Sequence, residues 1–308
     1  MHIHVVLNPA GASGRAWKLW KKLKPQFDDY GDYTLHTSSS SRGVQSICEQ
    51  LTSSGALTAI ALIGGDGTLN EALNGIRDFD NTLFGFVPCG TGNDTERDMS
   101  LPRKKKDIVS RLLSCEVRRR ADIGELSFYK EDGSILKRKF SISSDIGFGA
   151  AACAFADRSK LKPVLNKLGL GKLIYLVGAL KVCFGTKPAC VRISYGSKTR
   201  VFKKCLCAIV MNHAYEGGGF KFCPDADFCD GKLDICVGNG ISKPAFLKVL
   251  PLAYKGMHKG KRGIFLDRSQ SFSMTSDIPL WAHTDGEVLG MTRKVNMRLT
   301  GEKLNLIV

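Results

Sequence analysis

Ala59-Ile60-Ala61-Leu62-Ile63 runs directly into Gly64-Gly65-Asp66-Gly67-Thr68. A short apolar run without helical spacing reads as a buried strand. The glycines allow a sharp turn whose backbone N–H groups can approach a ligand with no Cβ in the way. Leu69, Ala72, Leu73 and Ile76 follow at helical spacing, so the turn opens a helix N-terminus. Strand, glycine turn and helix in that order make a phosphate site by geometry. Asp66 alone would repel a phosphate. Its place there makes sense through Mg²⁺, which bridges acids and phosphates. An ordinary strand-to-helix turn is the alternative reading.

Two more junctions repeat the pattern. Leu83 to Val87 reads as a strand and ends in Pro88-Cys89-Gly90-Thr91-Gly92-Asn93-Asp94, with Thr95 to Met99 helical after it. Ile3 to Leu7 reads as a strand and ends in Asn8-Pro9-Ala10-Gly11-Ala12-Ser13-Gly14, with a helix through Trp17, Trp20 and Leu23 after it. Ligands of open α/β sheets bind at the carboxyl ends of the strands, where all three loops should lie. Strands near 3–7, 32–36, 58–63 and 83–87 with helices between them predict a parallel sheet covered on both faces, an α/β/α domain over 1–122. A further helix is expected near 103–114.

From Gly124 the pattern changes to short alternating strands: 125–129, 139–143, 190–195, 204–211, 233–237 and 295–299. Asp132-Gly133, Tyr195-Gly196 and Asp230-Gly231 punctuate them. This predicts a β-sandwich over 123–300 with inserted helices at 158–184 and 242–258. A length of 308 residues fits two domains, and the absence of a long linker suggests a cleft between them.

Lys and Arg number 45 against 29 acids, a formal net charge of +16. That favours an anionic partner. No recognition helix, zinc finger or aromatic-basic RNA motif is present, so a negatively charged membrane surface is expected rather than nucleic acid. Between 160 and 184 lysines alternate with leucines, as in an interfacial helix, although such a helix packing on its own domain is the commoner case. The longest apolar run, Leu173 to Leu180, is far short of a membrane span. Eleven scattered cysteines and no signal segment suggest a reducing cytosol, and Cys205 and Cys207 read as packed thiols. A homodimer is compatible with these features.

The motifs resemble those of the diacylglycerol kinase catalytic family, lipid kinases that include sphingosine and ceramide kinases. The resemblance is closest to the soluble bacterial members. It rests on Asn8-Pro9, the Gly64-to-Thr68 loop with Asn70-Glu71, the Gly90-to-Asp94 loop, Ala121-Asp122-Ile123-Gly124, Pro224-Asp225-Ala226 with Asp230 to Leu233, and Asp285-Gly286-Glu287. The first loop carries extra small residues relative to the family's shorter form. The resemblance implies ATP as phosphoryl donor, with phosphates held by Asn8, Pro9, Ala10, Gly11, Gly14, Gly64, Gly65, Gly67 and Thr68. Thr37, Asn70, Glu71, Thr91, Gly92 and Asn93 complete the nucleotide contacts. It implies catalytic roles for Asp66, Asp94 and Asp122 in a Mg²⁺ network, and for Glu287 as general base. It implies a structural Mg²⁺ at the Phe222 and Asp227 carbonyls and the Asp225 side chain. It also implies that residues 301–308 return to the first domain.

The residues leave bland alternatives beside several of these roles. Asp94 suits a helix N-cap, Thr37 and Asp225 suit turns, and Asp285-Gly286 is a common hairpin signal. The leading expectation is an ATP-dependent kinase acting on a hydroxyl of a neutral lipid, diacylglycerol first. A soluble-substrate kinase that shares the Gly-Gly-Asp-Gly-Thr loop, such as an NAD kinase, and a non-catalytic lipid-binding module are the alternatives.

Overall fold

The computed structural model describes every residue except 39–41, 91, 159–177 and 179–180. The chain divides into two compact units, residues 1–123 with 301–308, and residues 124–300.

In the first unit, strands β1 (Ile3–Leu7), β2 (Tyr33–Thr37), β3 (Thr58–Gly64) and β4 (Thr82–Pro88) alternate with helices α1 (Gly11–Tyr30), α2 (Gly43–Thr52) and α3 (Asp66–Gly75). Helices α4 (Asp94–Met99) and α5 (Lys105–Leu113) follow. The strands pair in parallel in the order β2-β1-β3-β4. Every residue of β3 and β4 is buried, as continuous apolar runs in a covered parallel sheet must be. Helix α1 packs with α5, and α2 with α3, giving a helical layer on each face. In α1 the buried stripe is Ala16, Trp20, Leu23 and Phe27. Trp17 lies on the other side and is exposed.

The chain end closes this sheet. Asn305 and Leu306 pair in parallel with Leu83 and Phe84 of β4. Asn305 is buried, and its side-chain amide donates to the carbonyls of Phe79, Asp80 and Thr82 while its oxygen accepts from Arg120. Replacing it leaves buried carbonyls without a donor, which costs roughly 1–3 kcal/mol. Asn305→Ala is therefore expected to lower the midpoint of urea unfolding by that amount, and Asn305→Asp, which keeps size but loses the donors, by at least as much.

The second unit is built mainly from antiparallel pairs. Its strands are β5 (Arg119–Tyr129, entering from the first unit), β6 (Ile135–Phe140), β7 (Ser143–Gly147), β8 (Ala189–Tyr195) and β9 (Lys198–Met211). Then come β10 (Leu233–Asn239), β11 (Ile264–Ser269), β12 (Ser271–Thr284) and β13 (Glu287–Leu306). Helix α6 covers Phe148–Arg158, and helix α7 covers Lys243–Tyr254. One apolar core holds Leu126, Phe140, Val191, Ile235, Phe272 and Met297; another holds Phe148, Ile209, Met211, Cys236 and Phe246.

The sequence expectations need three adjustments here. The strand expected at 139–143 is two strands, β6 and β7, which brings Asp145 into the sheet. The long β12–β13 hairpin extends well beyond the strand expected at 295–299, because serines and threonines break its apolar alternation. The helix expected from 158 instead begins at Phe148, and most of the lysine-leucine stretch lies outside the described residues. Among the described residues no helix is long and apolar enough to cross a membrane. All eleven cysteines are free, and burial pushes the thiols of Cys205 and Cys207 up, Cys207 to about 12.

Candidate active site

The parallel register places Leu7, Thr37 and Ile63 abreast, and Gly64 opposite Pro88. The loops after β1, β3 and β4 therefore share one sheet edge with Thr37. After β1, the Asn8 side chain accepts from Ala10 N–H at 3.0 Å. Ala12, Ser13 and Gly14 then all take left-handed conformations (φ of 53°, 60° and 81°). Such strain in non-glycine residues costs energy and clusters at ligand sites.

After β3, the glycine motif is not a loop ahead of a helix but the helix's own first turn. Gly65 is the N-cap and Asp66 the first helical residue. A Cβ on Gly65 would lie 3.1 Å from the Gly90 Cα, so this glycine is required where two loops meet. Gly67 is different: a Cβ there meets nothing within 4 Å. In α3, Asn70 is fully buried and Glu71 lies near Cys48 of α2.

Asp66 and Asp94 come together. The Asp66 carboxylate accepts from the backbone N–H groups of Asp94 (3.2 Å) and Thr95 (3.4 Å). It thereby caps α4 from a neighbouring loop, while Asn93 holds the N-cap position in a left-handed conformation with no side-chain cap. Both carboxylates lie close to Gly92, where a built Cβ is 3.3 Å from Asp66 and 3.5 Å from Asp94. Arg97 approaches Asp94 at 3.6 Å. Asp122 is buried and ion-paired with Lys303 from the chain end. It stands on β5, beyond the returning end of β13 that pairs with β4, which removes it from the immediate sheet neighbourhood of the other two acids. Thr91 lies outside the described residues.

In the second unit the Thr284–Glu287 rung closes the β12–β13 hairpin, with Asp285 (φ 48°) and Gly286 (φ 84°) as its central residues. Positive φ at both matches a tight hairpin turn that follows the strand twist. Asp285 does more than form the turn. Its carboxylate accepts from the N–H groups of Ser141 (2.8 Å), Ile142 (2.8 Å) and Ser143 (3.0 Å). Glu287 is 43% exposed and receives the buried Arg138 guanidinium at 3.4 Å.

The expected structural metal loop does not fit a metal. The Phe222 carbonyl accepts from His258 Nε2 at 2.9 Å. Lys259 pairs with the Asp225 carboxylate and holds it below the usual carboxyl range. Arg268 donates to the Asp225 carbonyl (2.9 Å) and the Asp234 carboxylate (3.0 Å). The Asp227 carbonyl accepts from the Asp230 N–H at 3.2 Å. Protein donors thus meet the acceptors a cation would need. Chelation with EDTA is expected to leave the thermal midpoint unchanged, whereas Arg268→Met should lower it. A fall on chelation alone would restore the metal.

The chain matches the family model of the diacylglycerol kinase catalytic domain over residues 2–126. It matches the model of the YegS C-terminal NAD kinase beta sandwich-like domain over 143–308. The chain belongs to the bacterial diacylglycerol kinase family. It is 30% identical over 77% of its length to YtlR of Bacillus subtilis, a provisionally named lipid kinase, of which it covers 76%. It is 27% identical to the diacylglycerol kinase of the same organism, over 80% of this chain and 74% of that one. A structure of a provisionally assigned diacylglycerol kinase from Bacillus anthracis shares its fold, with a TM-score of 0.73 at 21% identity over 97% of this chain and 94% of that one. Yeast NADH kinase is a more distant fold neighbour, with a TM-score of 0.52 and 7% identity over 98% and 81% of the two chains. This family member is accordingly a lipid kinase at family level, with ATP as the phosphoryl donor its kinship implies.

Proposed function

We propose that this diacylglycerol kinase family member phosphorylates the hydroxyl of a neutral lipid, diacylglycerol first. The observation that carries the lipid reading lies on the β12–β13 hairpin. A cavity of about 560 Å³ flanks it, lined mainly by apolar residues such as Ala154, Phe155, Leu280, Trp281 and Met291, with Arg158, Lys181 and Lys187 among them, a size within the usual range for ligand sites. Trp281 pairs with Met291, and Thr284 with Glu287. Four residues of β13 separate the cavity rung from the turn, about 13 Å at strand rise. An apolar chain in the cavity and a hydroxyl near Glu287 suit one amphiphilic substrate.

In this reading the left-handed residues 12–14 and the first turn of α3 bind the phosphates through backbone N–H groups. Asp66 and Asp94 would hold a bound Mg²⁺, which prefers one or two carboxylates beside phosphates. Bound Mg²⁺ would neutralise charge on the transferring phosphoryl group. Glu287 accepts the proton of the lipid hydroxyl as its oxygen attacks the γ-phosphorus, and ADP departs. Arg138 keeps the Glu287 carboxylate in place. The NAD kinase-like reading draws on the shared Gly-Gly-Asp-Gly-Thr loop and on fold similarity, and the largely apolar cavity disfavours it. A radiolabelled ATP assay decides. Diacylglycerol, monoacylglycerol, sphingosine, ceramide and polyprenol in mixed micelles are compared with NAD, and label in NAD with none in any lipid overturns the proposal.

The open space beside Gly67 gives a nucleotide-site test that leaves loop packing intact. Gly67→Val should keep the fold and weaken ATP binding about tenfold or more, 1.4 kcal/mol per decade. Unchanged affinity by titration calorimetry removes this turn from the site.

Peripheral binding to an anionic membrane is part of the same reading. Tyr254 (51% exposed) and Met257 (61%) stand out at the end of α7. Exposed Lys255, Lys259, Lys261 and Arg262 surround them in sequence, with no acid from 249 to 266. Vesicle co-sedimentation should rise with anionic lipid and fall with salt, as the Debye length drops from about 10 Å at 0.1 M to about 3 Å at 1 M.

A further inference from the structure

The hairpin turn that carries Glu287 is gripped at both central residues. Backbone N–H groups of 141–143 hold Asp285, as described above. The N–H of Gly286 donates to His283 Nδ1 at 3.2 Å. A ring nitrogen that accepts a hydrogen bond carries no proton, so the imidazole proton sits on Nε2. Nε2 faces Asp145 Oδ1 at 3.3 Å and Glu216 Oε1 at 3.5 Å. Ser143 Oγ donates to the same Glu216 oxygen. Both His283 and Asp145 are buried, with side-chain exposures of 2% and 1%.

The sheet explains how these groups meet. His283 of β12 lies opposite Asp145 of β7 in the antiparallel register. Asp145 lies against the start of α6, with neither carboxylate oxygen in a hydrogen bond of ordinary geometry. Gly149 makes room for it, since a Cβ there would fall 1.9 Å from Asp145 Oδ2. Burial pushes the imidazole down to about 4, so it is neutral near pH 7. Burial and the neighbouring Glu216 push the Asp145 carboxyl well up. A chain of contacts therefore runs from α6, which contributes Ala154 and Phe155 to the cavity wall, through Asp145 and His283 to the backbone beside Glu287.

We infer that His283 is a positioning residue: its neutral Nδ1 fixes the turn that presents Glu287, and Asp145 ties that grip to the helix walling the lipid cavity. This rests on the lipid kinase reading above. Nothing in the local sequence points to it, because His283 and Asp145 are far apart in the chain and meet only across the β7–β12 pairing.

Two side-chain amides separate the halves of the imidazole. His283→Asn places an acceptor near the position of Nδ1. His283→Gln reaches the position of Nε2 and leaves Gly286 without its acceptor. The expected result is that His283→Gln loses kcat on the lipid by on the order of 10²-fold, the cost of a misplaced catalytic group. His283→Asn should recover most of that loss, and KM for ATP should be unchanged in both. Equal losses in the two variants, tracking only their unfolding midpoints, would mean a purely structural role and overturn the inference. ¹⁵N spectra of the wild-type imidazole give a second readout that holds even where a variant fails to fold. Protonation at Nε2, with the Gly286 amide shifted downfield, supports the grip, and protonation at Nδ1 overturns it. A wild-type protein that labels no lipid defeats the kinase reading instead, and the spectra still decide the His283 contact.

Discussion

Glu287→Gln is expected to lower kcat on the lipid alcohol by on the order of 10²- to 10⁴-fold, the usual contribution of a general base. The substitution preserves size and removes basicity. Arg138 should still hold the amide oxygen, so the turn should stay in place. The loops proposed to bind phosphates belong to the other compact unit, so ATP affinity should survive. The decisive comparison is kcat and nucleotide Kd on one preparation. Near-normal turnover in Glu287→Gln would leave Glu287 a turn residue and send the proton elsewhere, to Asp94 or to the phosphoryl group itself.

Asp285→Ala should have the largest effect on stability. Three backbone N–H groups converge on this one carboxylate. Hydrogen bonds to a charged acceptor contribute roughly 1.5–3 kcal/mol each, without simple additivity. Alanine also tolerates the left-handed conformation at this position poorly, whereas asparagine adopts it more readily. A loss of about 3 kcal/mol or more is expected for Asp285→Ala in urea unfolding, with Asp285→Asn between it and the wild type. The folded fraction of Asp285→Ala should also turn over slowly, since Glu287 would lose a fixed turn. A loss under about 0.5 kcal/mol, the range of an ordinary surface change, would show that the three N–H groups find other acceptors.

Much of the first unit was legible because its signals are local. A strand, a glycine turn and a helix lie within some twenty residues of one another, and period and turn chemistry mark each. Asp66 and Asp94 stand beside such glycines, and Glu287 follows an Asp-Gly hairpin turn. Those residues and the two-part architecture could be read along the chain. What each carboxylate touches could not. Asp66 caps α4 from across a loop contact. Asp122 pairs with Lys303, and Asp285 takes the N–H groups of 141–143. Asp225 is met by Lys259 and its carbonyl by Arg268, where a metal was expected. These partners stand from 28 to 181 residues apart in sequence. Sequence pattern reports which face of an element is apolar, because burial repeats with the backbone period. It carries no such signal for a hydrogen bond between distant strands, whose partners are chosen by sheet register. The sequence by itself determined the order of the elements: glycine-rich strand-to-helix loops first, a carboxylate turn near the end. Only the tertiary structure decided which of those groups are held rigid, by whom, and that a buried histidine stands behind the proposed base.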